Sequence, residues 1–138
     1  MPSESNFWKQ IKNNLPRDCL ANRIESKVGG GVPDVHLVLD GLPFWIELKT
    51  TKTNKVNITP HQIAWHMAYF AKKGKSFYLV KHLTTKHLFL FEGHHGSRLL
   101  RLGWGVYNDG IGSRFEDLAS LFDALRADLR LYFASLFE

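Results

Sequence analysis

PDVHLVLDGLPFWIELK, residues 33–49, is the stretch from which the rest of the chain can be read. Val35-His36-Leu37-Val38-Leu39 and Pro43-Phe44-Trp45-Ile46 read as two short strands, and the Asp40-Gly41 between them is a dipeptide favoured in tight hairpin turns. A hairpin brings Glu47 and Lys49 back level with Asp34. On an extended strand residues two apart share a face, so Glu47 and Lys49 point one way while Leu48 turns into the core. Two carboxylates and an ammonium gathered on one side of a sheet can bind a divalent metal and activate a water beside it.

Working outward, Ser3 to Leu15 predicts an opening helix with Phe7, Trp8, Ile11 and Leu15 on one stripe and Pro16 after its end. Leu20 to Lys27 predicts a strand, ended by Gly29-Gly30-Gly31. Beyond the hairpin, Thr51 to Asn57 is polar and basic and reads as a loop. Thr59 caps a second helix with Pro60 at its first position. Ile63, Ala64, Met67, Ala68 and Phe70 are expected to form most of its apolar side. Ser76–Lys81 and Lys86–Phe91 read as further strands. Gly93 to Ser113 holds six of the eleven glycines and reads as an irregular excursion. Phe115 to Phe137 returns to helical spacing, with Leu118, Phe122, Leu125, Leu129, Tyr132, Phe133 and Leu136 making an apolar stripe that is either core or a subunit contact.

The 138 residues, 44% of them hydrophobic, suffice for one domain, with a core over about residues 4–92 and an extension from 93 to 138. The single cysteine, Cys19, excludes an intramolecular disulfide and a cysteine-cluster zinc site, which fits a reducing compartment; it is expected to be a small core residue. No apolar run approaches the roughly 20 residues needed to span a bilayer, and Met1-Pro2-Ser3-Glu4-Ser5 lacks the order of a signal peptide. A soluble, cytoplasmic protein with no membrane partner is expected. The net charge of +5 is uneven: residues 1–90 carry 13 Lys/Arg against 6 Asp/Glu, and residues 91–138 carry 5 against 7. The basic half also holds Asp34, Glu47 and Lys49, which suits a polyanionic substrate.

The order helix, strand, hairpin with Pro33-Asp34 and Glu47-Leu48-Lys49, helix, strand resembles the PD-(D/E)XK nuclease superfamily. Arg23 to Asp34 with its glycine run, Trp45-Ile-Glu-Leu-Lys49 and Gln62-Ile-Ala-Trp65 look like the compact VRR-NUC and archaeal-type Holliday-junction resolvase branches, which phages often carry. The match covers about residues 4–81. It implies an α/β, restriction-endonuclease-like fold: a central mixed β-sheet flanked by helices, here with an extra C-terminal helical segment. It also implies that Asp34 and Glu47 ligate Mg²⁺, with Mn²⁺ able to substitute and the Leu48 carbonyl as a further ligand. Lys49 would orient the attacking water and stabilise charge on the phosphate. Glu4 resembles the helix acid that completes such a site, although it could instead favour a helix N-terminus through the macrodipole. Glu25 is the alternative, or it pairs with Arg23.

Gln62 either holds the water or a phosphate, or is a solvated helix residue. Lys27 and the backbone amide of Gly30 either grip a phosphate or belong to a flexible turn, and Lys52 and Lys55 either line a DNA track or are solvated. His94 and His95, adjacent in sequence, are expected to face different ways and hold no zinc, and His61 and His66 to be surface or partly buried. The expected activity is metal-dependent hydrolysis of DNA phosphodiesters, with the four-way junction as first substrate and flaps or other structured ends as the alternative. Two symmetric cuts would suit a homodimer. The rivals are a nucleic-acid-binding module that keeps the fold without the chemistry, and an enzyme for RNA or single-stranded DNA. If the chain is phage-encoded, its compartment is the host cytoplasm.

Overall fold

A computed structural model describes residues 2–24 and 30–138. The hairpin forms where the sequence predicts it: Asp40 (φ 54°) and Gly41 (φ 79°) are both left-handed, as a two-residue type I′ turn requires, and Leu39 pairs with Leu42 across it. It joins β2 (Val35–Leu39) to β3 (Leu42–Thr51). β1 (Cys19–Arg23) pairs antiparallel with β2, and β4 (Ser76–His82) lies parallel to β3. β5 (Leu88–Glu92) and β6 (Gly112–Phe115) follow antiparallel, giving one mixed six-stranded sheet in chain order. The parallel step needs a crossover, and α2 (Pro60–Ala71) lies on it.

Period-two alternation splits the core between the two faces. On one, Val35, Leu37, Leu39, Phe44, Ile46, Leu48, Phe77, Leu79, Leu88 and Leu90 meet Phe7 and Ile11 of α1 (Pro2–Lys12) and Leu118, Leu121, Phe122, Leu125 and Leu129 of α4 (Leu118–Ser135). On the other, Tyr78, Val80, Phe89 and Phe91 meet Val56, Ile58, Leu99 of α3 (Gly96–Leu102) and Val106 of the 3₁₀ segment Trp104–Asp109. β4 and β5 are therefore apolar on both faces. The second face of β2 and β3 carries polar groups instead, and the site lies there.

Expected and observed elements differ in four places. β3 continues to Thr51, where it pairs with His82, so the loop begins later than its polar composition suggests. β1 ends at Arg23; the readings made for Glu25, Lys27 and Gly29 fall outside the described residues. The expected apolar side of α2 is wrong: Ala64, Met67, Ala68 and Phe70 are exposed, while His66 is fully buried. This helix turns a polar edge to the sheet because the sheet beneath it is polar. Residues 93–138 are no appendage, since β6 closes the sheet edge and α4 shares with α1 the covering of one face. As far as Leu129 the α4 stripe belongs to the chain's own core, Leu125 being 1% exposed, while Tyr132 and Phe133 are half-buried and Leu136 is exposed.

Arg126 and Arg130 of α4 each reach the Asp40 carboxylate at 2.6 Å, tying the C-terminal helix to the hairpin turn. The Arg126 hydrogen bond is the main reason that the Asp40 carboxyl is held below its ordinary range. Among the described residues no helix is long and apolar enough to cross a membrane.

Candidate active site

Asp34 stands just before β2, and its Oδ2 accepts a hydrogen bond from the Leu48 amide at 2.8 Å, fixing it opposite the end of the hairpin. Glu47, on the same side of β3 as Lys49, is 3% exposed. Its Oε2 accepts from Gln62 Nε2 at 3.1 Å and lies 3.7 Å from Lys49 Nζ. Lys49 Nζ donates to Gln62 Oε1 at 3.0 Å. Gln62 holds this position because it also closes the capping box of α2, accepting from the Thr59 amide at 3.0 Å while Thr59 Oγ1 accepts from the Gln62 amide at 3.1 Å. One hairpin and one helix start thus bring Asp34, Glu47, Lys49 and Gln62 together.

The electrostatics follow from that crowding. Burial, then the charge of Asp34, push the Glu47 carboxyl up to about 9; Lys49 opposes, and the Glu4 charge adds a smaller push. Glu47 Oε1 is buried with no hydrogen-bond partner. A buried acceptor without a donor, beside a second carboxylate, is a donor set suited to a hard divalent cation. Asp34 and Glu47 therefore fit Mg²⁺ or Mn²⁺ as the side chains that would hold it; the Leu48 carbonyl is the further group that the resemblance implies.

A second layer of polar groups was not expected. Tyr78 lies beside Glu47 in the β3–β4 register; its hydroxyl is buried without a partner, and burial, then the charge of Glu47, push it well above its ordinary range. His66, one turn on from Gln62, is fully buried, with Nδ1 2.6 Å from Ser76 Oγ and Nε2 unpartnered. Burial, with the Lys49 charge adding to it, pulls its imidazole down to about 4. Gln62 and His66 are four apart on one helix face, a spacing legible in the sequence that does not by itself say the face is buried. Gly93 and Gly96 also roof this layer, since a Cβ at the first would run into Ser76 and His66, and at the second into Tyr78.

Other expected residues sit apart. Glu4, in the first turn of α1, acts on Glu47 only through its charge. Gly30 packs against the His61 side chain, and Gly31 (φ 99°) against the His61 carbonyl, so part of the glycine run serves a close approach to α2. Lys52 and Lys55 are exposed on the loop after β3. Asn54 pins that loop: its Nδ2 donates to the Leu102 carbonyl at 3.0 Å and its Oδ1 accepts from the Gly105 amide at 2.8 Å. His94 and His95 do not face apart, their rings being 4.0 Å centroid to centroid. With Glu92 they form the one His/Cys/Asp/Glu trio among the described residues whose ligand atoms all lie within 4.8 Å of one another. Glu92 is already ion-paired with Lys75, which also pairs with Asp128 at 3.2 Å. Cys19 is half-buried, and burial raises its thiol to about 11, so it is no ready nucleophile.

No family model matches the chain, and no curated protein matches it either. Among solved structures it is similar to a VRR_NUC domain, at 22% identity over 56% of this chain and 82% of the other, with a TM-score of 0.46. It is also similar to Archaeoglobus fulgidus Hjc, a Holliday junction resolvase from an archaeal hyperthermophile. There the identity is 14% over 67% of this chain and 72% of the other, with a TM-score of 0.46. Each likeness is distant.

Proposed function

We propose that the chain is a metal-dependent endonuclease that hydrolyses phosphodiester bonds in branched or otherwise structured DNA. The supporting observation is the hydrogen-bonded set Asp34, Glu47, Lys49 and Gln62, with the unpartnered Glu47 Oε1 buried at its centre. Asp34 and Glu47, with the Leu48 carbonyl, hold the cation. Bound there, Mg²⁺ would polarise the phosphoryl oxygen and lower the pKa of water. Lys49, fixed by Gln62 and Glu47, presents its ammonium to the scissile phosphate and to the water that attacks in line, offsetting the negative charge that develops. Gln62 sets the position of Lys49 and Glu47 together. A four-way junction needs two cuts, which a homodimer would supply; Leu118 to Leu129 of the α4 stripe are buried in the chain's own core and could not form its contact.

The test is cleavage of labelled four-way junction, flap, duplex and single-stranded DNA with Mg²⁺, Mn²⁺ or EDTA. Asp34→Asn and Glu47→Gln should abolish cleavage while DNA binding persists, and binding should tighten with Asp34→Asn, which removes a negative charge facing the phosphate. Cleavage by either variant at the wild-type rate would refute the assignment.

A further inference from the structure

Four aromatic side chains continue the site along its own face. Trp45 precedes Glu47 by two residues on β3 and so shares its side; His36 follows Asp34 by two and pairs with Trp45 across the hairpin. On α2, Trp65 and Tyr69 lie one and two turns beyond Gln62. The rings form a ladder: His36 to Trp45 is 4.7 Å between centroids, Trp45 to Trp65 5.7 Å, and Trp65 to Tyr69 4.7 Å. All four are half-buried, and Trp45, Trp65 and Tyr69 pack against neither hydrophobic core. The ladder starts beside the carboxylates and ends by the close of α2, where Lys72 and Lys73 are exposed.

Resting on the nuclease reading above, we propose that His36, Trp45, Trp65 and Tyr69 form a stacking platform for an unpaired nucleotide next to the phosphate held by Lys49. Every base has a π-face, so partly wet indole and phenol rings bind unpaired bases with little regard to sequence. A base inside a duplex has both faces occupied and gains nothing from the ladder. Lys72 and Lys73 complement the charge of the backbone leaving the platform. A purely structural helix-to-sheet contact needs no exposed ring surface; the core rings Phe7, Phe44, Phe77, Phe122, Phe89 and Phe91 are all fully buried. The preferred DNA therefore has a single-stranded stretch at the cut, as a flap or an open end does and a fully paired arm does not.

The experiment measures binding of the full chain in EDTA, so that no cut intervenes, to a flap and to a duplex of equal length. 2-Aminopurine is placed in turn at each nucleotide around the flap branch. Quenching confined to one or two unpaired positions is expected, and Trp45→Leu and Trp65→Leu should each lower the flap-to-duplex affinity ratio about tenfold. Unquenched 2-aminopurine in wild type overturns the platform whether or not the variants fold. An unchanged ratio in both folded variants overturns it too, even where Glu47→Gln has lost cleavage and the nuclease reading stands. Ladder-dependent binding by a wild type that cuts none of these DNAs with Mg²⁺ would sink the nuclease reading alone. If sedimentation shows that either variant turns a dimer into a monomer, the rings serve a second copy of the chain and the platform is wrong.

Discussion

Glu47 stands where a bare carboxylate is costly: 3% exposed, beside Asp34, with one oxygen unpartnered. A cation that binds the folded site and not the unfolded chain stabilises by mass action. Mg²⁺ should therefore raise the thermal midpoint of wild type over that in EDTA and leave Glu47→Gln unmoved; equal shifts would place the ion elsewhere, with Glu92, His94 and His95 the next place to look. His66 makes a pH prediction. Its imidazole is held at about 4 against an ordinary 6.5, so the folded chain keeps it neutral where the unfolded chain protonates it. That contribution is whole above pH 6.5 and is lost as pH falls towards 4, on the order of 3 kcal/mol in all. Urea unfolding at neutral and mildly acid pH should show a shallower loss in His66→Gln than in wild type. An identical loss would mean that His66 does not titrate as its burial requires. The approach of Asp34, Glu47 and Lys49 was legible because hairpin register and strand period act locally, whereas Gln62 came from the resemblance alone. His66 and Tyr78 were hidden, because a polar residue becomes buried only through neighbours distant in the chain.

Among the helices, α4 carries the clearest stability test. Leu129 is fully buried and Leu131, two residues on, is 75% exposed. Leu129→Ala should cost about 2–5 kcal/mol in chemical denaturation, and Leu131→Ala less than about 0.5 kcal/mol. Comparable losses would mean that α4 is docked differently. Leu125→Glu should unfold the chain instead of separating subunits, since its side chain lies in the core. The helical period of α4 was readable from its leucines, but not what it covers: a stripe on a helix reports that a partner exists, never which one. On α2 the period misled, because Met67 and Phe70 are apolar yet exposed, while Gln62 and His66 turn inward to a polar sheet. β6 was missed because Gly112 reads as loop; it is glycine because a Cβ would strike the Phe91 ring.

For the molecule as a whole, the charge asymmetry predicts how it would meet DNA under the proposed function. Lys52 and Lys55 project from a loop that Asn54 holds to the Gly103–Gly105 turn, so they form a fixed feature of the surface. Changing both to Ala should weaken binding evenly across sequences and flatten the salt dependence by about 0.7–0.9 in log–log slope for each phosphate no longer neutralised. An unchanged slope moves the track to another face. The stretch up to β4 could be read as strands and helices in order, since its turns and caps are written in Asp40-Gly41 and Thr59-Pro60. The closure of the sheet by residues 93–138 could not, because it depends on glycines chosen for what they lie against. Those glycines, at 93, 96, 103, 105 and 112, all meet side chains from earlier in the chain.

Gln62 joins two events that proteins usually keep separate. Its side chain accepts from the Thr59 amide and from Lys49, and donates to Glu47. When the first turn of α2 frays, Lys49 and the buried glutamate lose their common anchor in the same motion. Hydrogen exchange of the Gln62 and Ile63 amides, which bond back to Thr59, thus becomes a clock for the assembled state of the site. A chain caught part-way through folding, or opened there by stress, holds Lys49 and Glu47 without their shared partner; under the proposed function, competence to cut would arrive only with the first turn of α2.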